Sequence, residues 1–527
     1  MFIRNVRSRN NCSQNGVSIN AFCCNFSNIP LHLDEAQKIY SFWDDCGVKT
    51  PPFSYIWGHL RTPYLNGALA NRVKHMYNYL KLNGLKHGGF YLFQEPLYVP
   101  MDLDICKAII QTDFQHFVDR GGFVVEGDPL TAQLLNLKGR QWKAMRSKLT
   151  PTFSSGKMKI MFETMLECSH GLKKVMDELQ STQVDIKDVL GRFSTDVIGT
   201  CCFGIECNSL TEPENEFRLK GKFVFDRSRD FWFQIHLKLL TYFPKLMGFF
   251  NMKYFPNHLT EFFFGIVKNT VEYREKYGIT CNDLMDLLIK IKNKDQLTTG
   301  EVNMNGDSSQ DIQKFTIDDI VAESFLFFLA GFETASTAMT FCLFELASNK
   351  DIQHKLRKEI NEVLKKFDGR ITYEAIMNMP YLDKVLQESL RKHPPAPAFR
   401  RICTIPYRVP GTDIVLRTGA NVVIPVYGFH HDPLYYPDPD KFDPERFSEE
   451  NMKKRHPMAY LPFGEGPRMC IGMRFAMMEQ KIAIITLVKN YEFEIGSNTI
   501  IPLKWSSQNF ILSAIGEIWL KHKKIES

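Results

Sequence analysis

The stretch Phe463-Gly464-Glu465-Gly466-Pro467-Arg468-Met469-Cys470-Ile471-Gly472 decides how this chain is read. It sets one cysteine between glycines, two residues after an arginine. An apolar periodic segment follows, from Met473 to about Lys489, and predicts a helix. Cys470 therefore falls at or just before a helix N-terminus. Free N–H groups and the positive end of the helix dipole favour a thiolate there. The glycines let backbone approach a bulky planar partner, and a thiolate so held is a soft ligand suited to iron. Arg468 adds a positive charge that can pair with an acidic group on whatever the sulfur binds. An isolated cysteine in a Gly-rich turn reads equally as a buried structural residue. The F-G-x-G-x-R-x-C-x-G spacing, rare by chance, is what favours a ligand.

Upstream, Ile317 to Ala347 predicts a long apolar helix that carries Ala330-Gly331-Phe332-Glu333-Thr334. An acid and an alcohol in the middle of such a helix are costly to bury without a purpose. Gly331 costs about 1 kcal/mol against alanine there and is expected to open space beside the backbone. Thr334 can hydrogen-bond back one turn. The pattern predicts a groove for a diatomic ligand and water, although a Ser/Thr-rich helix packed on a neighbour looks the same. Glu388-Ser389-Leu390-Arg391 places opposite charges on one helical face. That pattern is common, and it gains weight from Pro444-Glu445-Arg446-Phe447 between it and Cys470. Trp142 and Arg146 set an indole N–H and a guanidinium one turn apart. Arg401 follows the proline-rich turn Pro394–Pro397. Each of these alone reads as a solvated or snorkelling side chain.

In their order along the chain, from roughly Tyr40 to Leu520, these motifs resemble the cytochrome P-450 family of haem-thiolate monooxygenases. Within it the chain is similar to animal microsomal members of the insect xenobiotic-oxidising type. The resemblance implies a mainly α fold with small β-sheets (α+β), with haem buried between the long oxygen-activating helix and the cysteine-ligand loop. It implies haem b, iron protoporphyrin IX, ligated by Cys470, whose thiolate favours O–O cleavage as it does across this family. Trp142, Arg146, Arg401 and Arg468 would face the haem propionates. Ala330, Gly331, Phe463 and Gly472 would lie against the cofactor. Glu333 and Thr334 would govern proton delivery. Ala335 stands where the family often carries Thr or Ser, and Ser336 follows, so the relay is expected to be wired differently. Glu388, Arg391 and Arg446 would form a buried network on the cysteine side. Phe117, Phe123, Phe328, Ala398, Phe399 and Ile511 are the candidate substrate contacts.

No G-x-G-x-x-G follows a predicted strand, so no nicotinamide or flavin domain is expected. The resemblance implies electrons from a separate NADPH-dependent cytochrome reductase, O2 as co-substrate, and a lipophilic small-molecule substrate. It also implies attachment to the cytosolic face of the endoplasmic reticulum membrane. Two rival readings accompany it. A haem-thiolate isomerase or dehydratase tends to lack the acid–alcohol pair present here. A haem-binding protein without turnover would need no reductase.

Composition sets outer bounds. The 527 residues suffice for a large core. Hydrophobic residues are 44% and charged residues 24%, as in ordinary globular proteins. The 42 phenylalanines suit an apolar cavity or an aromatic core. A net charge of +6 is too weak to argue nucleic-acid binding, and is compatible with an acidic partner or an anionic membrane surface. Thirteen cysteines, an odd number without C-x-x-C, argue against a secreted disulfide framework. Residues 1–38 are polar and Asn/Ser/Arg-rich, with a short Cys/Phe patch at Ala21–Phe26 and no visible signal sequence. They are expected to be a disordered segment without a clear membrane anchor, ahead of one catalytic domain over 39–527. No run of 18 apolar residues predicts a transmembrane helix. Strand signals fall at Leu92–Val99 and Arg408–Val426. Lys294–Gln313 reads as a flexible surface loop, and Phe231–Phe255 as apolar core at helical spacing.

Overall fold

The computed structural model describes residues 39–525 apart from short stretches, of which 240–251 and 302–313 are the longest. Residues 1–38, including the Ala21–Phe26 patch, and much of Phe231–Phe255 lie outside the described residues. The main helices are α1 (Leu69–Leu82), α2 (Gly139–Leu149), α3 (Ser155–Glu178), α4 (Ile186–Ile198), α5 (Glu216–Arg227) and α6 (Asn257–Tyr277). They continue with α7 (Leu284–Glu301), α8 (Ile317–Ser348), α9 (Lys350–Lys365), α10 (Pro380–Lys392), α11 (Val426–His430) and α12 (Met473–Asn490). The strands are β1 (His87–Leu92), β2 (Glu95–Pro100), β3 (Gln183–Asp185), β4 (Phe399–Ile402), β5 (Tyr407–Arg408), β6 (Val415–Leu416), β7 (Asn421–Ile424), β8 (Tyr491–Ile495) and β9 (Trp519–Lys524). This is the expected mainly α fold with small sheets.

Helix α8 organises the molecule. Thr316 and Asp319 form a reciprocal capping box at its start, and Asp318 and Asp319 complement the helix dipole. Its 32 residues span about 48 Å. Most of its side chains are buried on every side, which is why it carries no simple amphipathic stripe. Among the described residues it alone is long and apolar enough to cross a membrane, yet 67% of its most apolar window is buried inside the protein. Its hydropathy is spent on the core.

Gly331 serves packing. A Cβ there would come within 2.4 Å of Ile198 Cδ1, so α4 lies directly against α8 at this residue. The expectation that Gly331 opens a groove is thus corrected: the side chain of Ile198 fills the space.

Among the described residues, three small sheets flank the helices. One runs in the order β1-β2-β7-β4, with β1–β2 and β4–β7 antiparallel and β2–β7 parallel. The others are β3-β9-β8 and the β5–β6 pair. The signal at Leu92–Val99 straddles the end of β1 and most of β2. The apolar run Phe90-Tyr91-Leu92-Phe93 has no Gly or Pro to mark the turn. Arg408–Val426 divides into β5, β6 and β7, with a turn at Val409–Thr412. The predicted loop from Lys294 is displaced, because α7 continues to Glu301 before residues 302–313, which lie outside the description. Lys294, Gln296 and Leu297 are good enough helix formers to extend it. The described cysteines are free thiols.

Candidate active site

The cysteine loop is built from backbone. Cys470 N–H donates to Phe463 O at 3.0 Å, Met469 N–H to Gly466 O at 2.9 Å, and Gly464 N–H to Leu461 O at 3.1 Å. Gly466 has a φ of +75° and lies so close to Ile110 O that a Cβ would overlap it at 1.9 Å. Only glycine fits there. α12 starts directly after Gly472, which offers no side-chain cap. The Cys470 sulfur receives the Gly472 N–H. Burial nevertheless pushes the thiol up, against that N–H and the charges of Arg120 and Arg146. The helix N-terminus alone therefore does not make a thiolate here; a coordinated cation would. The neighbouring charges come from Arg120 and Arg146, where the sequence pointed to Arg468.

Across the interior, the least buried stripe in the middle of α8 comprises Leu326, Leu329, Ala330 and Thr334. These residues recur at helical spacing on one side. Ala330 is exposed in the middle of a helix whose side chains are mostly buried. The Thr334 hydroxyl donates to Ala330 O. The Ser336 hydroxyl donates to Phe332 O at 2.9 Å, which ties it to its own helix. Glu333 turns toward α4, where Lys187 Nζ lies 2.6 Å from its carboxylate. This pair borders a cavity of about 680 Å³ whose wall includes Asp185, Ser336, Thr337 and Asn509. The Thr337 hydroxyl is buried without a hydrogen-bond partner. Acid and alcohol thus diverge, Thr334 on the Ala330 stripe and Glu333 on the polar cavity.

Four arginines crowd one region. Arg468 is buried and donates to Val118 O at 2.9 Å, Leu134 O at 3.1 Å and Leu137 O at 2.8 Å, with its guanidinium 4.1 Å from the Trp142 ring centroid. Arg120 donates to Arg468 O. Arg401 is buried, makes one hydrogen bond to Arg400 O at 2.9 Å, and leaves its Nε unpartnered. Arg120 Nε is also buried without a partner. Among the described residues the carboxylate nearest these guanidiniums is Asp119, 4.0 Å from Arg468. Burial, helped by mutual repulsion, pulls Arg120 down to about 10 and Arg468 down to about 9, and holds Arg401 well below its ordinary value. Buried cations with unmet N–H groups call for an anion. Trp142 supplies a ring face to Arg468. Sequence reading missed Arg120, whose one local signal is its place before Gly121-Gly122.

On the other side of the loop, Glu388 and Arg391 are fully buried and paired by two hydrogen bonds of 2.8 and 2.9 Å. Glu388 also accepts Asp443 N–H at 2.9 Å and lies 3.3 Å from Arg446 Nε. The E-x-x-R acid therefore holds the P-E-R-F segment through backbone as well as charge.

The sequence model of the family described as Cytochrome P450 matches residues 58–518. The chain belongs to the cytochrome P450 family. Probable cytochrome P450 6a14 of Drosophila melanogaster is 41% identical to it over 507 residues, 94% of this chain and 97% of that protein. Cytochrome P450 6a2 of the same fly is 39% identical over 505 residues, 93% and 96% of the two chains. Cytochrome P450 6k1 of Blattella germanica is 38% identical over 492 residues, 92% and 93% of the two. As a cytochrome P450, this protein is a haem-dependent monooxygenase. It uses haem iron, O2 and a redox partner on a small-molecule substrate.

The residues of this P450 fit such a cofactor. A cysteine that coordination would ionise suits iron, and the under-satisfied arginines suit two carboxylates. The substrate candidates fare unevenly. Phe117 is fully buried and packs edge-on to Tyr407 at 4.9 Å, in a core behind the sheet. Phe328 is fully buried among Phe217 at 4.6 Å and Phe263 at 5.4 Å. Ile511 is buried beside Leu512, whose N–H reaches Pro395 O. Phe117 and Phe328 therefore leave no exposed surface for a contact in this structure, whereas Ile511 keeps 7%. Phe123 is half-buried against Tyr254 at 5.5 Å. Ala398 and Phe399 are half-buried, and the Phe399 ring lies 3.8 Å from the Cβ position of Gly464. Leu326 and Leu329 were missed. Counting back by helical turns from Thr334 would have found them.

Proposed function

We propose that this P450 inserts one oxygen atom from O2 into a lipophilic small molecule, a xenobiotic or an endogenous lipid-like compound. Electrons come from an NADPH-dependent cytochrome reductase. The cofactor is haem b, residues 39–527 form one catalytic domain, and the site of action is the cytosolic face of the endoplasmic reticulum membrane. The observation that carries this reading is the cluster of four arginines, two with unpartnered Nε atoms, of which Arg120 and Arg146 act on the Cys470 sulfur.

In this reading Cys470 is the iron ligand, and Arg120, Arg146, Arg401 and Arg468 hold the two carboxylates, with Trp142 keeping Arg468 in place. Ala330, Phe463 and Gly472 leave room for a flat group, while Gly331 lets α4 seat against α8. When bound, the haem supplies the metal centre at which oxygen is activated. The chain's own residues do the rest. Leu326, Leu329, Ala398 and Phe399 offer apolar surface to orient substrate and exclude water. Thr334 presents a hydroxyl on the uncovered stripe. Glu333 holds a proton-carrying group at the polar cavity, and Lys187 keeps it turned there until it is needed. Glu388, Arg391 and Arg446 keep the cysteine side rigid.

The retained Glu333–Thr334 pair favours oxygen activation over rearrangement of peroxides. Turnover separates the readings. With added reductase, NADPH and a panel of lipophilic compounds, oxygenated product should form in proportion to NADPH used. Product from a hydroperoxide without reductase would instead support an isomerase or dehydratase. No product by either route would support a haem-binding protein.

A further inference from the structure

His430, the last residue of α11, is fully buried between the E-x-x-R helix and the chain entering the cysteine loop. Its ring makes two bonds of opposite sense. Leu461 N–H donates to Nε2 at 2.9 Å. Nδ1 lies 3.0 Å from Arg391 O. Because Nε2 accepts, Nδ1 must carry the hydrogen, and the ring is neutral with a fixed tautomer. Burial and the nearby Arg391 charge push it down to about 3, in line with that geometry. Arg391 O belongs to the last turn of α10, where helix carbonyls lack intrahelical partners. The His430 backbone carbonyl in turn accepts Arg391 Nη1 at 2.9 Å. Residue 430 and Arg391 therefore grip one another twice. Leu461 then opens the turn that receives Gly464 N–H, and Phe463 O receives Cys470 N–H. An unbroken hydrogen-bonded path runs from the end of α10 through one imidazole to the cysteine.

We propose that His430 is the positioning residue that sets the cysteine loop, by clamping its entry strand to the buried Glu388–Arg391 pair. This rests on the reading of Cys470 as the iron ligand. Arg468 and the close approach of Gly466 to Ile110 hold the far part of the loop, and the imidazole holds its entry at Leu461. Outer-shell partners of metal ligands act in the same way, by fixing orientation. Glutamine at 430 can keep an acceptor for Leu461 N–H, whereas the shorter asparagine keeps only a group facing Arg391 O.

The test uses the full haem-loaded chain, reduced and CO-bound, and follows the thiolate-type absorption band over time. This readout reports ligation, not turnover. His430→Asn should lose the band about tenfold faster than the parent, while His430→Gln should stay close to it. Tyr460→Phe is the control. Tyr460 stacks on His430 at 5.5 Å and bonds Gln387 O, so the variant loosens the neighbourhood without touching Leu461 N–H. It should keep the band. Parent-like stability in His430→Asn, equal loss in Tyr460→Phe, or failure of both amide variants to fold would each overturn the proposal. A parent chain without the thiolate-type band would instead overturn the ligand reading itself.

Discussion

Arg391 and Arg401 are both buried guanidiniums, 0% and 1% exposed, and they differ in what they touch. Arg391 has Nε, Nη1 and Nη2 all bonded, to Glu388, His430 O and Lys441 O. Arg401 has one bond to its neighbour's carbonyl and an orphaned Nε, with Arg120 and Arg468 repelling it. A satisfied buried charge maintains structure. An unsatisfied one, in a region crowded with like charge, is a binding group waiting for its counter-ion.

Glu388→Ala gives the largest effect that could break this comparison. It leaves Arg391 buried and uncompensated, and should destabilise the chain by about 3–5 kcal/mol. Denaturant unfolding should show the loss with or without haem. A loss seen only with haem would place Glu388 in the cofactor site instead. Next in size are Thr334→Ala and Glu333→Gln. Both should retain haem but reduce product formed per NADPH, Glu333→Gln by about a hundredfold in rate. Unchanged coupling in both would show that protons arrive elsewhere.

Glu479 sharpens the contrast from the acid side. Like Glu388 it is fully buried, but its one protein partner is the Ser194 hydroxyl at 2.7 Å. Burial pushes it up to about 8. The folded chain then holds a proton that the unfolded chain releases above about pH 4.3. Stability from this group is present at low pH and falls as pH rises from about 4 toward 8. Glu479→Gln should remove about 3.5 kcal/mol of that fall, measured as unfolding free energy at pH 5 and pH 8. The smallest effect is expected of Arg401→Met. It should leave haem-free stability unchanged or raised, and speed haem loss to a scavenger globin about tenfold. Equal destabilisation with and without haem would make Arg401 another Arg391.

Much of this was legible in the sequence where the cause is local. The Cys470 loop could be read because its glycines, its turn and the following helix are all set within a few residues. Helix α8 could be read because thirty residues share one apolar pattern. Arg120 could not, since its role arises when it bonds Arg468 O, 348 positions away. Lys187 was hidden for the same reason, as its partner Glu333 lies 146 positions on. Phe117 and Phe328 misled because aromatic character suggested a lining, while long-range packing enclosed both. Gly331 was placed correctly but given the wrong job, because only the approach of Ile198 reveals what the missing Cβ is for.

The claim beneath all of this is that Cys470 sulfur holds the haem iron. The direct measurement is the absorption spectrum of the reduced, CO-bound protein, parent against Cys470→Ala. The parent should show the long-wavelength band of a thiolate-ligated haem and the variant should lack it. An unaltered band in Cys470→Ala would contradict the account.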